Sequence, residues 1–138
     1  MKISTRERYG LRLLVDIVEN GGNGPVALST VAKRQNLSEK YLQQVALLLT
    51  RGGFLNSVKG SGGGYLLKDR AEQILIYNVL DLLEGSISFQ EEDAEKESPI
   101  ERIIRLHFYA QLDQEIARVF ESLTLADVCK ADWFTYEI

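Results

Sequence analysis

Two groups of side chains in this sequence have the types and spacing to grip a polyanion and read the edges of bases. The first is Ser38, Lys40, Tyr41, Gln43, Gln44 and Arg51; the second is Lys59 followed by Gly60, Ser61, Gly62, Gly63 and Gly64. Gln pairs with adenine through two hydrogen bonds, and Lys meets guanine acceptors or a phosphate. Glycines beside a Lys let backbone amides approach a phosphate that bulkier side chains would hold off. Gln43 is the first choice for base readout and Lys40 the second, with Ser38 and Tyr41 fixing the helix on the phosphate backbone. Lys2, Arg6, Arg8 and Arg12 are further cations within reach of that backbone, although for any one of them a solvated face is the commoner explanation. Other chemistries fit poorly. A dinucleotide fingerprint needs a third glycine where Tyr65 stands, and a P-loop needs Lys then Ser or Thr after its last glycine. One His and one Cys on separate segments leave no acid-base pair, so no enzyme is expected.

The elements that position these groups follow from caps and breaks. A helix over 29–35 with Ser29 as its N-cap is followed by a break at Asn36 and Leu37, and Ser38 then caps a second helix over 39–51. Gly52 and Gly53 end it. Helix, three-residue break, helix is the helix-turn-helix pattern. On the second helix Tyr41, Leu42, Val45, Leu48 and Leu49 recur at helical spacing and face inward, leaving the polar set outward. A strand over 54–58, a turn over 59–64 and a return strand over 65–67 make a β-hairpin wing. A solvated amphipathic helix and a flexible hairpin are the bland readings of these two segments taken singly.

Charge is divided along the chain. The total is −4 over 138 residues, yet residues 1–70 carry 11 Lys and Arg against 5 Asp and Glu, a net +6, and residues 71–138 carry 5 against 15, a net −10. The local field over the helix-turn-helix matters more for phosphate than the total. A hydrophobic content of 45% suffices for one packed domain. No stretch approaches the roughly 20 apolar residues of a membrane span, no signal-peptide core opens the chain, and a single cysteine suits a reducing cytoplasm.

Around these motifs, Ser4 and Glu7 form a capping box that opens a helix to about Asn20, with Leu11, Leu14, Val15 and Val18 as its apolar stripe. A helix over 74–84 offers Val79, Leu80, Leu82 and Leu83 for burial. Residues 85–98, with Glu91, Glu92, Asp93, Glu95 and Glu97, read as an acidic loop rather than a metal site. Ser98, Pro99 and Glu101 open a long helix to about Ser122. Its residues Ile100, Ile104, Phe108, Leu112, Ile116 and Phe120 recur every fourth position, and Ile103, Val119 and Leu123 widen the stripe. So long a stripe exceeds the needs of one small core and predicts a helix-to-helix homodimer. His107 beside it reads as a packed or surface residue. Residues 124–128 form a last helical turn. The division is therefore 1–84 (helix-turn-helix 28–51, wing 54–67), the loop 85–98, and 99–138 for dimerisation and tail. The fold class is mainly α, a winged helix-turn-helix with a small β-hairpin wing plus a long dimerisation helix.

The residues Tyr41, Leu42, Gln43 and Gln44, the run from Lys59 through the glycines to Tyr65, the opening Met1 to Thr5 with Arg8, Tyr9, Leu11 and Arg12, and Gly24, Pro25 and Val26 resemble the Rrf-two family of bacterial winged-helix regulators. The resemblance continues through Leu83, Glu84, Gly85 and residues 123–128. It implies a sequence-specific DNA-binding homodimeric repressor, two half-sites about one DNA turn (roughly 34 to 36 Å) or a multiple apart, and double-stranded operator DNA as partner. Family members often carry an acidic residue where Gln43 stands, so base preference does not transfer. Cluster-binding members hold cysteines in the acidic loop. Here the only cysteine is Cys129, so no cofactor is carried over; Cys129 reads as a buried structural cysteine, with a redox-sensitive thiol as the alternative. The opening, the absent cysteines and the aromatic tail with Trp133, Phe134, Tyr136 and Ile138 look most like the family's cysteine-metabolism repressors. That resemblance implies that cysteine synthase could capture Ile138; the aromatics otherwise pack across the dimer. An interaction module acting on cysteine synthase through this tail is the alternative function.

Overall fold

Helix α1, Thr5–Asn20, begins where the Ser4 hydroxyl accepts a hydrogen bond from the Glu7 amide. The computed structural model describes residues 4–85, 87–89 and 94–129. Only half of the expected capping box forms. The Ser4 amide donates to Glu84 Oε1 at 3.1 Å rather than to Glu7, and the Ser4 hydroxyl also contacts that oxygen. Glu7 is turned inward and buried, so a carboxylate from 80 residues away completes the cap. The core face of α1 is Leu13, Leu14 and Ile17, while Leu11, Val15 and Val18 are half-buried. The expected stripe is offset because Gly10 admits α4, Ile76–Glu84, so closely that a Cβ there would lie 2.4 Å from Leu83 Cδ1.

Helix α2, Leu28–Gln35, starts one residue before its expected range, with Ala27 at the N-cap and no side-chain cap, so Ser29 lies inside the first turn. Asn36 takes a left-handed conformation (φ 55°, ψ 52°) that short polar residues tolerate, and it turns the chain into α3, Glu39–Arg51. Leu42, Val45, Ala46 and Leu49 of α3 join Val31 of α2, Leu55 just beyond α3 and Leu83 of α4 in one core. Each fully buried Leu contributes about 1.5–3 kcal/mol of transfer free energy.

Strands β1, Leu55–Val58, and β2, Gly64–Leu67, pair antiparallel with Leu55 opposite Leu67 and Val58 opposite Gly64. Val26 adds a bridge on the other side of β2 that was unforeseen in the sequence. It exchanges hydrogen bonds with Tyr65 at 3.0 and 2.9 Å, which ties the wing to the segment entering α2. Of the residues offered for burial on α4, Val79, Leu80 and Leu83 are buried; Leu82 stands exposed. The helix also starts later than expected, after a 3-10 turn at Ala71–Gln73.

The Ser98 and Glu101 capping box forms completely, with Pro99 in the first turn of α5, Pro99–Ile104. A π turn, Arg105–Tyr109, separates α5 from α6, Ala110–Phe120. A four-residue repeat drifts by about 40° per step on an α-helix of 3.6 residues per turn; one wider turn takes back part of that drift. None of the residues in α5, the π turn or α6 is buried. Ile100, Ile103, Ile104, Leu106 and Phe108 stand exposed, whereas Leu112, Ile116 and Phe120 are half-buried and Phe120 touches Tyr77 at 6.0 Å between ring centres. The chain then returns to the first core. Ile76 and Leu125 amides donate to the Leu123 and Ile74 carbonyls at 3.0 and 2.8 Å, and Leu125 of α7, Leu125–Cys129, is fully buried.

Among the described residues no helix is long and apolar enough to cross a membrane. Lys2, Glu91, Glu92, Asp93, the tail aromatics and Ile138 lie outside the described residues.

Candidate nucleic-acid interface

Helix α3 is fixed on one side and bare on the other. The Ser38 hydroxyl accepts from the Tyr41 amide at 3.3 Å, which satisfies one of the free donors of the first turn. The Tyr41 ring is half-buried and meets Tyr9 of α1 edge to face, ring centres 4.8 Å apart and planes at 87°. Leu42, Val45, Ala46 and Leu49 anchor the inner face. Lys40, Gln43, Gln44 and Arg51 are all exposed, on the arc opposite that anchor. The polar set expected on one face is thus presented together. Leu47 stands with it, 47% exposed, a residue the reading of the polar face passed over. The signal was available: Leu47, Leu48 and Leu49 are consecutive, and neighbours about 100° apart do not all face one core.

A buried polar clamp holds the helix pair in place. Asp16 of α1 accepts from Arg34 Nη2 at 2.7 Å, Arg34 Nε at 3.1 Å and Gln35 Nε2 at 2.8 Å, all from the end of α2, and from Asn20. Burial raises the Asp16 carboxyl, but the hydrogen bonds from Arg34, Gln35 and Asn20 and the Arg34 charge outweigh it and leave it below the ordinary carboxylate range. Arg12, expected among the cations for a phosphate backbone, is exposed and hydrogen-bonded to Gln35, Nε to Oε1 at 3.0 Å. Arg6 and Arg8 are exposed on α1. The clue to the clamp was an acidic residue between the apolar Val15 and Ile17; its partners were not legible.

In the wing, the glycines divide into two kinds. Gly64, at φ +152°, lies where a Cβ would sit 2.3 Å from the Val26 carbonyl oxygen, and a Cβ on Gly63 would meet the Val58 carbonyl oxygen at the same distance. The Gly63 amide donates to the Gly60 carbonyl at 3.0 Å. These two glycines close the hairpin. Gly60 and Gly62, at φ +95° and +76°, face open space beside exposed Lys59 and Ser61. The tip is therefore a loop of small residues next to one cation, on the same half of the chain as α3.

A family model described as "Rrf2: Iron-dependent Transcriptional regulator" matches residues 3–131. The chain belongs to the Rrf2 family. The HTH-type transcriptional regulator CymR of Bacillus subtilis (strain 168) is 35% identical over 128 residues, 93% of this chain and 89% of that protein. The solved structure of CymR, described as the global cysteine regulator of B. subtilis, superposes with a TM-score of 0.78 at 33% identity, covering 96% of this chain and 98% of that one. T. potens IscR superposes at 0.74 and 31% identity over 99% of this chain and 96% of its own. The fold of this Rrf2 protein is the winged helix-turn-helix of these regulators.

The iron in the family's description requires donors. The sequence holds one Cys and one His. Cys129 is half-buried and packs against the core, and burial, then Glu19, push its thiol up, away from the reactive thiolate. His107 is exposed in the π turn. Among the described residues no three His, Cys, Asp or Glu side chains converge on a common point. An iron-sulfur cluster is usually held by four protein ligands, and this donor set does not fit one.

Proposed function

We propose that this Rrf2 protein is a sequence-specific DNA-binding repressor that acts as a homodimer without an iron-sulfur cluster. The observation that carries the reading is the bare polar arc of α3, with Lys40, Gln43, Gln44 and Arg51 exposed together and an open wing tip following in the chain. Each α3 enters a major groove. Gln43 reads a base edge, with Lys40 and Gln44 beside it, while Ser38, Tyr41, Arg8 and Arg51 hold the phosphate backbone. Lys59, Ser61 and the tip glycines meet a phosphate or the minor groove; Gly63 and Gly64 shape the hairpin that carries them. A second copy covers Ile100, Ile104 and Phe108, with Leu112, Ile116 and Phe120 continuing the contact, and places two α3 helices about one DNA turn (roughly 34 to 36 Å) or a multiple apart. The likeness to CymR favours genes of cysteine metabolism as the regulated set. Capture of Ile138 by cysteine synthase is a separate proposal, tested by deleting that residue and measuring the loss of binding to the enzyme.

The test is selection of bound sequences from random duplex DNA by the full chain, followed by two variants. Gln43→Ala lowers affinity for the selected site by about 1 to 3 kcal/mol and relaxes one base position per half-site. Lys59→Ala weakens binding to all sequences and reduces the salt slope by about one. Equal loss on selected and random DNA for Gln43→Ala would remove its readout role.

A further inference from the structure

We propose that Leu47 is a specificity residue that reads the 5-methyl group of a thymine in the major groove. An exposed Leu on its own needs no explanation; the position of this one does. At about 100° per residue, Gln43 and Gln44 stand at the two sides of the outward arc of α3, and Leu47 falls between them beside Lys40. It is 47% exposed, while Leu49 is fully buried in the core. A branched apolar side chain therefore stands at the centre of a surface otherwise made of amide and cationic groups.

The major groove offers one prominent apolar feature to such a side chain, the C5-methyl of thymine. Gln43 and Leu47 are four residues apart, so their rise along the helix is about 6 Å. Bases stack every 3.4 Å or so along a strand. The thymine therefore lies within about two base steps of the base that faces Gln43. The two contacts together make each half-site rich in A·T pairs, the amide taking an adenine edge and the leucine covering a methyl. Burying one methyl group against Leu47 corresponds to about 4-fold in affinity.

This inference rests on the DNA-binding reading, and the test separates the two. The full-length protein and the duplex it selects from random DNA are used, with each thymine in a half-site replaced singly by deoxyuridine, which removes only the methyl. For the natural chain, one position per half-site loses about 4-fold in affinity. Leu47→Ala binds the parent duplex several-fold more weakly and shows no further loss when that thymine becomes deoxyuridine, whereas Gln43→Ala keeps the deoxyuridine penalty. Ala is a strong helix former and position 47 is exposed, so the variant melts with the natural chain. The inference is overturned if every deoxyuridine duplex binds like its parent, or if Leu47→Ala retains the full penalty. If no sequence is selected at all, the DNA-binding reading itself falls and takes this inference with it.

Discussion

Residues 5–84 and the helix over 99–120 are built on opposite principles. The first region is packed round one core: α1, α2, α3 and α4 each contribute buried side chains, Leu125 of α7 completes it, and even the buried charge of Asp16 is answered by Arg34 and Gln35. The second buries none of its residues, although Ile100 is 70% and Phe108 55% exposed. An apolar stripe of that length on a free surface is unusual unless something covers it. The difference teaches that the segment holding the fold together is separate from the segment proposed to join two copies. A fault in the first region should unfold the chain at any concentration, and one in the second should act only through association.

The comparison breaks most visibly at Leu49, which is fully buried on α3. Leu49→Ala should cost about 2–5 kcal/mol, read as a lower urea midpoint with an unchanged slope. A loss below 1 kcal/mol would mean that the first region is not tightly packed. On the other side, Ile104→Asp with Phe108→Asp should weaken self-association by roughly 100-fold, about 2.8 kcal/mol, in sedimentation equilibrium, while helix content is retained. A variant that stays dimeric would place the interface elsewhere.

The clamp sharpens the account of the first region. Asp16→Ala leaves Arg34 and Gln35 without their acceptor and should cost about 2–3 kcal/mol at pH 7, since Arg34 can partly hydrate. The sign of its pH dependence follows from its lowered carboxyl. Asp16 adds stability above its unfolded pKa of about 3.9, and that stability is lost as pH falls through the still lower folded value. The gap between natural chain and variant should close on acidification. Glu7 should behave in the opposite way. Burial, then the neighbouring Glu84 carboxylate, raise it, with Arg8 only partly offsetting them. A raised carboxyl is penalised once pH rises through its unfolded value of about 4.3, so Glu7→Gln should stabilise the fold at pH 7 and have no effect in acid. A destabilised variant at neutral pH would show that the ionised form is held favourably.

What was legible in the sequence was local. Ser38 as a cap, the break at Asn36, the end of α3 near Gly52 and the Ser98 and Glu101 capping box all depend on residues within a few positions of one another. The hairpin was legible for the same reason. What was missed joins distant segments: Glu84 taking over the cap of α1, Val26 pairing with Tyr65, and Arg34 reaching Asp16. Local pattern carries no record of which remote group arrives first. The π turn was hidden because a four-residue apolar repeat reads as an α-helix until a count of its angular drift is made. At the candidate interface, the polar residues were named from type and spacing. Leu47 was passed over because the outward face was searched for polar side chains alone, and an apolar residue was placed on neither face.

The central claim is that two copies present two α3 helices to one duplex. The mass of the complex between the full chain and its selected duplex, measured by light scattering in dilute buffer, tests it directly. The account predicts two chains per duplex, with a selected sequence that repeats as a dyad at about one helical turn or a multiple. A single chain on each duplex, or no complex at all, would contradict it.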